Sequence, residues 1–494
     1  MHCAESLPDG AFTRLERRIR ASLARDCKGW DGDAGVAVIS DPTSAFTVRA
    51  DSARDAERSL DLQYYIWRAD LSGQLLAEEA VRAADRGVKV RLLLDGIYAP
   101  GRERTLAALN GHPGIEVRLF NGARWRIFGR FSLLLELAFG NWRLNRRMHN
   151  KAWIADGSLA VVGGRNIGDE YFGVGPKGSI NFRDHDLLIA GPAAAQALQV
   201  FNRYWTSGLA RPVDRPAVAA AGQNGELAAL RQRLADNAAR PEAQDLLATL
   251  AGPGQPWLGL ALTSVGRGAV RVAADPPEKA LRGLGSRKRA RAAGGIAADI
   301  ADSLRVARRE VLLISPYFVP GRAGLALLQG LRARGVRVSV VTNSLAATDV
   351  VAVHGGYAKY RRPLLEAGVE LFELKSRSTG EHASLIGSRG ASLHTKAFVV
   401  DGAHAFVGSF NLDPRSALLN TEMGVHVWHH AVAQEVADDH ARLADPALSW
   451  RIVSNRGALG WCDGATIHRH EPAASRWRRI AAWLVQALPI EEQL

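Results

Sequence analysis

The sequence predicts an α/β protein in which two tandem domains, related by a pseudo-twofold axis, form one site at their interface. One observation behind this prediction is a motif, His-x-Lys-x4-Asp, that occurs twice, at His149-Lys151-Asp156 and at His394-Lys396-Asp401. The same interval of 245 residues separates the two histidines and the two aspartates. A second observation is a strand–helix–strand pattern that accompanies each copy. A motif that repeats together with its surroundings is typical of a duplicated domain.

The strand–helix–strand pattern consists of a buried apolar strand, an amphipathic helix and a second apolar strand. We expect these elements at 60–67, 73–85 and 88–94 in the first half, and at 311–318, 323–334 and 336–341 in the second. The tripeptide Arg-Gly-Val leads into the second strand in both halves. A βαβ unit in each half indicates the α/β class.

The chain divides into five predicted segments. Residues 1–34 form an amphipathic lead-in helix, 35–212 the first domain and 255–446 the second domain. A helical linker, 213–254, joins the domains, and an extension rich in Trp and Arg, 447–494, follows them. The first domain carries an amphipathic insertion at 122–147. The length of 494 residues agrees with more than one domain.

The composition indicates a globular protein with an anionic partner. The formal net charge is +13, which favours nucleic acid, anionic lipid headgroups or a polyphosphate without choosing among them. The three cysteines form no C-x-x-C pair, so neither a disulfide framework nor a zinc site is expected. The N-terminus does not read as a signal peptide, and no stretch reaches the roughly 18 apolar residues of a membrane span. We therefore expect a soluble or peripheral protein in a reducing compartment.

The repeated motif has the residue types that phosphodiester chemistry needs. Each copy lies on an extended segment, where residues i and i+2 share one face, so each histidine points the same way as its lysine. A neutral imidazole can attack phosphorus, and a second imidazole can protonate the leaving oxygen. Lysine ammonium groups and the amides of Asn166 and Asn411, in the glycine-rich corners that follow, would stabilise charge on the phosphate oxygens. This chemistry requires no metal or cofactor.

Two carboxylates are candidates for orienting the imidazoles. Asp184 and Glu422 stand in corresponding places, each just before a strand downstream of the glycine corner. The motif residues Asp156 and Asp401 precede glycines and read as hairpin turns. They are site candidates by their place in the motif, but a structural role, bonding to nearby backbone or to the lysine, is the alternative.

The sequence resembles the phospholipase D superfamily, and within it the bacterial cardiolipin synthases of the C type. The resemblance covers about 35–494. Its more specific pieces are RRMHNK (146–151), GGRNIGDEYF (163–172), SPYFVPG (315–321), LDPRS (412–416), LNTE (419–422) and LPIE (488–491). It implies a metal-independent transphosphatidylation through a phosphohistidine, with His149 as nucleophile and His394 as acid and base. One departure is Asp95-Gly96, where relatives are expected often to carry a second acidic residue, which puts only loop details in doubt.

The choice between lipid and nucleic acid depends on two amphipathic basic segments. Residues 125–147, which lead into His149, combine apolar and arginine residues in a pattern that favours the headgroup region of a membrane, although a buried helix is the alternative. The expected membrane or substrate contacts are Trp125, Phe128, Phe131, Trp142, Arg146 and Arg147. A second such segment lies near the C-terminus, where Trp477, Ile480, Trp483 and Leu484 alternate with arginines, and core packing is its alternative.

The sequence therefore predicts a phosphatidyltransferase, peripheral on the inner membrane in the bacterial cytoplasm. Its expected partners are anionic phospholipids, with phosphatidylglycerol as donor and acceptor, and the membrane surface. The alternatives are a phospholipase D-type hydrolase, a phosphodiesterase acting on nucleic acid, and a non-catalytic lipid-binding protein. Nucleic acid is the less favoured partner because no alternation of basic and aromatic residues marks a strand-binding groove. The sequence identifies no protein partner.

Overall fold

The computed structural model describes residues 12–24, 34–99, 101–122, 145–175, 181–213, 223–250, 261–266, 268–281, 295–376, 391–455, 457–464 and 466–487. The helices in these ranges are α1 Arg14–Ala24, α2 Pro42–Asp55, α3 Leu71–Asp85, α4 Glu103–Asn110, α5 Pro192–Trp205, α6 Gln223–Ala238, α7 Pro241–Leu250, α8 Ile296–Arg305, α9 Gly321–Ala333, α10 Val351–Ala358, α11 Arg361–Glu366, α12 Pro414–Leu418, α13 His430–Leu443 and α14 Arg476–Ala487.

The strands of the first half are β1 Ala34–Ile39, β2 Ser59–Tyr64, β3 Lys89–Asp95, β4 Ile115–Phe120, β5 Ala152–Ala155, β6 Leu159–Gly163, β7 Asn181–Arg183, β8 Asp186–Ala190, β9 Ala210–Pro212 and β10 Thr263–Val265. Those that follow are β11 Val270–Ala274, β12 Glu310–Ile314, β13 Arg337–Asn343, β14 Glu370–Leu374, β15 Ala391–Leu393, β16 Ala397–Val400, β17 His404–Gly408, β18 Met423–Trp428, β19 Ser449–Asn455, β20 Ala458–Cys462 and β21 Ile467–His468.

Two mixed sheets have the same internal order. The first runs β10-β1-β8-β6-β5-β2-β3-β4-β9, and the second runs β11-β18-β17-β16-β12-β13-β14-β19-β20-β21. The strands from β1 across to β9 in the first sheet correspond one to one, in spatial order, to the strands from β11 across to β19 in the second. The predicted βαβ units are confirmed, because β2 pairs in parallel with β3 across α3, and β12 with β13 across α9. The predicted duplicated α/β fold is therefore present.

Two strands fall on the other side of the domain boundaries expected from the sequence. Strand β10 lies after position 255 but pairs antiparallel with β1, so the chain returns to the edge of the first sheet before it enters the second. Strand β19 lies after position 446, yet it pairs with β14 and occupies the place that β9 has in the first half. Strand β10 is a three-residue edge strand, and β19 pairs with strands on both of its sides, so the sheet to which each belongs follows from tertiary pairing that composition does not show.

Each sheet has an outer face covered by helices and an inner face turned toward the other half. On the outer face of the first sheet, Leu15 and Leu23 of α1 and Leu230 and Leu234 of α6 are buried with the sheet in one core. The lead-in helix and the linker helices are thus packed on the first half. A separate core joins the two inner faces, including Ile154 and Val162 of the first sheet and Val399 and Val425 of the second.

The interface core explains why the central strands are apolar on both faces. Strands β5, β6, β8 and β17 are buried at every residue, as expected when a sheet is covered on both sides. Each fully buried Val, Leu or Ile contributes about 1.5–3 kcal/mol by leaving water. The two halves therefore share a continuous apolar interior, which holds the ends of their motif-bearing segments together.

Candidate active site

The repeated motif lies at a β-hairpin in both halves, as predicted. Strands β5 and β6 pair antiparallel around Asp156 and Gly157, whose φ angles are 52° and 66°. Strands β16 and β17 pair around Asp401 and Gly402, with φ of 53° and 65°. Two consecutive residues with positive φ form the turn that matches the twist of a hairpin, which explains the Asp-Gly pairs. The hairpin fixes where the His–Lys segment enters the sheet.

The motif aspartates are not brought to the histidines. The carboxylate of Asp156 accepts hydrogen bonds from the backbone N–H groups of Glu57, Arg58 and Ser59, at 3.1, 2.8 and 3.0 Å. Asp401 accepts equivalent bonds from residues 308, 309 and 310 at 3.0, 2.7 and 3.0 Å. Each aspartate lies seven positions after its histidine, which is about 23 Å along an extended chain. Both carboxylates anchor the start of the central strand and take no position in the reacting cluster.

The histidine-bearing segment of each half pairs with the other half of the chain. Met148 forms a parallel bridge with Thr421, and the His149 N–H donates to the Thr421 carbonyl at 2.9 Å. In the mirror arrangement, β15 pairs in parallel with β7, and the His394 N–H donates to the Arg183 carbonyl at 2.7 Å. In both cases the residue after the partner is a carboxylate. The backbone thus sets each histidine beside an acidic side chain of the opposite half.

The two predicted carboxylates orient the two histidines crosswise. His149 Nδ1 lies 2.8 Å from Glu422 Oε2, and His394 Nδ1 lies 2.5 Å from Asp184 Oδ2. All four residues are buried. The Ser409 hydroxyl also donates to Glu422 Oε2. Four side chains from two halves therefore form two His–carboxylate pairs, each of which needs both halves.

The glycine corners adapt to these carboxylates in different ways. A Cβ atom on Gly164 would lie 2.2 Å from Asp184 Oδ1, so only glycine leaves room for that side chain. The corresponding position in the second half is Ser409, which faces Glu422 with its hydroxyl. The neighbouring Arg165 is buried and directed at the Asp186 carboxylate, 3.3 Å away, so its charge is used inside the first half.

The electrostatics of the pairs decide which imidazole nitrogen carries a proton. Burial alone would raise the pKa of Glu422, but His149 and Lys151 outweigh it and hold that pKa below its ordinary value. Burial alone would likewise raise the pKa of Asp184, but Lys396 and His394 outweigh it and hold that pKa below its ordinary value. An ionised carboxylate only accepts hydrogen bonds, so each histidine must donate from Nδ1. Each Nε2 is then left for the substrate.

Both motif lysines are buried beside their histidines. Lys151 Nζ donates to the His149 carbonyl at 2.6 Å, and Lys396 Nζ donates to the His394 carbonyl and lies 2.8 Å from its Nδ1. Burial is the main cause that lowers the pKa of Lys151 to about 7 and that of Lys396 to about 8. The charge of Lys396 also lowers the pKa of Lys151, so the two His–Lys pairs lie within electrostatic reach of each other.

The histidine pKa values follow the same causes. Burial lowers the pKa of His149 to about 4, with Glu422 opposing the shift and the charges of Lys151 and Lys396 adding to it. Burial and Lys396 also lower the pKa of His394, against Asp184. At neutral pH the His149 imidazole is therefore neutral, which is the form that has a nucleophilic lone pair.

Aromatic rings line the histidines. The ring of Tyr65 lies 5.2 Å from that of His149, and the Lys151 ammonium lies 5.4 Å from the same tyrosine ring. The rings of Tyr171 and Phe182 lie 5.3 and 5.0 Å from His394. These contacts limit the rotation of the imidazoles and exclude water from their flanks. The sequence offered Tyr65 only as part of an apolar strand.

The two predicted asparagines have different surroundings. Asn166 accepts from the Ile66 N–H at 3.2 Å and donates to the Tyr171 hydroxyl at 2.9 Å. It thereby fixes the corner next to the ring that covers His394. The buried Oδ1 atom of Asn411 has no hydrogen-bond partner within the described part of the chain. Of the two amides, that of Asn411 has an atom available to a ligand.

A pair of residues that the site prediction did not include fastens the histidine segments. Asp95, at the end of β3, accepts from the Met148 N–H at 2.8 Å. Asn343, at the corresponding end of β13, accepts from the Leu393 N–H at 3.0 Å and donates to the Leu393 carbonyl at 2.9 Å. The signal was available in the sequence, since both β3 and β13 are apolar strands that end in a short polar side chain.

Arg146 and Arg147 were predicted as membrane or substrate contacts, and their burial corrects the membrane part of that prediction. Arg146 is 7% exposed and donates to the Lys279 carbonyl at 3.0 Å. Arg147 is 4% exposed and lies 3.5 Å from the Asp95 carboxylate. A carboxylate and a carbonyl compensate the burial of the guanidinium groups. Trp125, Phe128, Phe131 and Trp142 lie outside the described residues.

Two further properties concern metals and membranes. In the described ranges, no three His, Cys, Asp or Glu side chains gather in an arrangement that could hold a metal ion. Of the helices described, none is long and apolar enough to cross a bilayer.

Comparison with known proteins gives consistent results. The family model described as "Cardiolipin synthase, PLD-like domain" matches the chain twice, at residues 51–205 and 300–444. Cardiolipin synthase C of Escherichia coli is 37% identical over 96% of this chain and 99% of its own length. A cardiolipin synthase of Halalkalibacterium halodurans is 26% identical, covering 79% of this chain and 62% of its own.

Among solved structures, phosphatidylserine synthase of Haemophilus influenzae has a TM-score of 0.58 with 14% identity. The match covers 96% of this chain and 100% of that one. At this identity the likeness concerns the fold alone. Both matched ranges of the family model contain one copy of the His–Lys motif.

Proposed function

Because the chain belongs to the cardiolipin synthase family of phospholipase D-like proteins, we propose that it transfers a phosphatidyl group from one phospholipid to a hydroxyl group of another. The observation that carries the proposal is the crosswise pairing of His149 with Glu422 and of His394 with Asp184. Two oriented imidazoles in one buried site are what a two-step displacement at phosphorus requires: one to form a covalent bond and one to move a proton.

In the first step, Nε2 of His149 attacks the phosphorus atom of the donor lipid. A P–N bond forms, and the bond between phosphorus and the leaving alcohol oxygen breaks. Protonated His394 gives its Nε2 proton to that oxygen, so the first alcohol leaves neutral. Glu422 stabilises the positive charge that His149 acquires, since its carboxylate accepts from Nδ1.

In the second step, the hydroxyl oxygen of the acceptor attacks the phosphorus of the phosphohistidine. His394, now neutral, takes the hydroxyl proton at Nε2, and the P–N bond breaks. Asp184 holds the ring of His394 in place in both steps, through the 2.5 Å contact with Nδ1. The site returns to its starting state with one phosphodiester exchanged for another, so no oxidant, reductant or net proton is consumed.

The lysines and Asn411 are suited to the phosphate oxygens. Lys151 and Lys396 are buried together, and each ammonium would be stabilised by the negative charge that a phosphodiester brings. The unused amide oxygen of Asn411 marks an amide free to turn toward a ligand. Charge on the nonbridging oxygens increases in the transition state, so these groups lower the barrier more than they tighten substrate binding.

Phosphatidylglycerol is the proposed donor and acceptor, with cardiolipin and glycerol as products. The net charge of +13 supports an anionic lipid surface as the place of reaction. The name of the E. coli relative, cardiolipin synthase C, supports the product. We further propose that the enzyme works in the bacterial cytoplasm, peripheral on the inner membrane.

The test is mass spectrometry of the products after the purified protein is incubated with phosphatidylglycerol vesicles. Cardiolipin with free glycerol is the expected result, and His149→Ala and His394→Ala should each abolish it while vesicle binding is kept. His470→Ala, at an exposed histidine outside the site, is the matched control and should retain activity. Phosphatidic acid without cardiolipin would make the protein a hydrolase. Cleavage of DNA without any lipid product would refute the lipid assignment.

A further inference from the structure

The last described helix, α14, has two faces of opposite character. On the inner face, Ala482 is 3% exposed, and a Cβ atom on Gly355 of α10 would lie 2.8 Å from the Ala482 carbonyl. This close approach shows that α14 packs directly on α10. The helix is therefore a fixed part of the second half.

The outer face of α14, formed by Trp477, Ile480, Trp483 and Leu484, is open. These side chains are 79, 47, 64 and 51% exposed. At 100° per residue they fall within about 120° of the helix circumference, opposite Ala482. Of the ten large apolar side chains exposed in the described part of the chain, four lie on these twelve residues. Such a concentration marks an interaction surface.

The charge of the helix indicates what covers this face. Helix α14 has arginines at 476, 478 and 479 and no acidic residue. Arg476 is exposed and falls within the same arc as the apolar side chains. An apolar stripe that includes a cation, on a chain with a net charge of +13, is complementary to the headgroup region of an anionic bilayer.

The helix is also connected to the rim of the active site. Arg478 donates through Nε to the Leu345 carbonyl at 3.0 Å and through Nη2 to the Thr348 carbonyl at 2.5 Å. The next residue, Asp349, accepts the hydroxyl of Tyr317 at 2.7 Å. Asn343, at the end of the strand that leads into this loop, bonds to the backbone of Leu393 next to His394. The charge of Asp349 acts on Lys396, so the loop lies beside the reacting groups.

We infer that the outer face of α14 docks on an anionic lipid bilayer and brings the loop 345–349, at the rim of the active site, to the membrane surface. This inference rests on the proposed function, since it names the element by which the enzyme reaches its lipid. Trp477 and Trp483 enter the headgroup region, where an aromatic side chain with a polar N–H is stable. Arg476 contacts lipid phosphates.

The test compares two double variants of the full chain. Trp477→Ser with Ile480→Ser removes an aromatic and an aliphatic residue from the outer face. Trp428→Ser with Ile467→Ser removes the same residue types from exposed positions on β18 and β21. Binding is measured by cosedimentation with vesicles of phosphatidylglycerol and phosphatidylcholine, and with vesicles of phosphatidylcholine alone. Circular dichroism and thermal unfolding establish that all proteins are folded.

The α14 variant should bind the anionic vesicles at least about tenfold more weakly than wild type, and the β18/β21 variant should bind as wild type does. Arg476→Glu should reduce the preference for phosphatidylglycerol vesicles, and added salt should weaken wild-type binding. Equal binding of the α14 variant and wild type would overturn the inference and leave the face to a protein partner. An equal loss in both double variants would also overturn it.

A second measurement separates this inference from the proposed function. With short-chain phosphatidylglycerol in detergent micelles, the α14 variant should form product at the wild-type rate, because no bilayer has to be reached. A variant that loses activity equally in micelles and on vesicles would contradict a docking role. A wild type that forms no lipid product in either medium would instead refute the phosphatidyltransferase function, whatever its vesicle binding.

Discussion

His149 Nδ1 lies 2.8 Å from Oε2 of Glu422, a residue 273 positions later in the chain and in the opposite half. The reciprocal contact joins His394 to Asp184. The sequence alone does not show which carboxylate orients which histidine. The parallel pairing of backbone segments between the halves produces the exchanged arrangement.

Replacing either carboxylate by its amide should impair catalysis with little effect on folding. In Glu422→Gln and Asp184→Asn, a neutral amide no longer stabilises a positively charged imidazole, so kcat should fall by about 100-fold or more. Steady-state kinetics on phosphatidylglycerol vesicles measure this loss. Glu366→Gln, on the exposed surface, is the control, and unchanged kcat in Glu422→Gln would contradict the positioning role.

Replacing the motif aspartates should reduce stability more than chemistry. Asp156→Ala and Asp401→Ala each leave three backbone N–H groups without their carboxylate and place alanine at a positive φ. The free energy of unfolding should fall by about 1–3 kcal/mol in each, as measured by urea denaturation. kcat per folded molecule should remain within about twofold of wild type. Asp→Asn at the same positions retains an acceptor and should be milder, whereas a large loss of kcat in a folded Asp→Asn variant would show a chemical role.

The glycine corner of the first half should tolerate no side chain. In Gly164→Ala the new methyl group would meet Asp184 Oδ1 at 2.2 Å, so the carboxylate must move away from His394. We expect a loss of kcat of at least about tenfold. Gly330→Ala in α9, where no atom outside the adjoining helix backbone lies within 4 Å of the added Cβ, is the matched control. It should retain full activity and gain up to about 1 kcal/mol in stability, because alanine favours helix. Equal activity of the two variants would contradict the crowding.

The pH dependence should have an alkaline limb to which His394 and the two lysines all contribute. The first step needs protonated His394, and burial and Lys396 lower the pKa of that histidine, so its proton is lost first as the pH rises. The pKa of Lys151 is lowered to about 7 and that of Lys396 to about 8, so raising the pH through this range removes ammonium charge from the free enzyme. kcat/KM should fall accordingly, while the lipid phosphodiester stays ionised. On the acid side, His149 becomes protonated only below about pH 4, where it loses its lone pair. Measuring both the rate and vesicle binding at each pH separates the effect of pH on the chemical steps from its effect on binding.

A lysine-to-arginine change provides the control for this assignment. In Lys151→Arg the guanidinium keeps its charge throughout the range, so the part of the alkaline limb that Lys151 causes should move to higher pH even where the maximal rate is reduced. If the limb stays in place in both Lys151→Arg and Lys396→Arg, another group causes it.

The sequence predicted the fold through its repetition. The 245-residue offset and the paired βαβ patterns were sufficient for the duplicated α/β architecture, because apolar periodicity and turn residues are local signals. The domain boundaries were harder to predict. Strands β10 and β19 lie near the expected boundaries, and the sheet to which each belongs is decided by tertiary contacts that composition does not encode.

The sequence predicted which residues form the candidate site better than it predicted which of them contact each other. Asp184 and Glu422 were identified by their corresponding places, but nothing local indicates that each faces the histidine of the other half. The roles of Asp156 and Asp401 were left open, and their backbone partners at 57–59 and 308–310 lie almost 100 residues earlier in the chain. Arg146 and Arg147 read as surface cations, because the carboxylate and carbonyl that compensate their burial are distant in sequence.

The exchange of carboxylates has a consequence for the independence of the two halves. Each half by itself holds a histidine without its orienting acid and an acid without its histidine, so neither is half as active as the whole. A protein with a single such domain would have to meet a second copy face to face, at a concentration high enough for the pair to form. Joining two copies in one polypeptide removes that dependence on concentration. It also couples the two copies, since a substitution near the carboxylate of one copy changes the orientation of the histidine in the other.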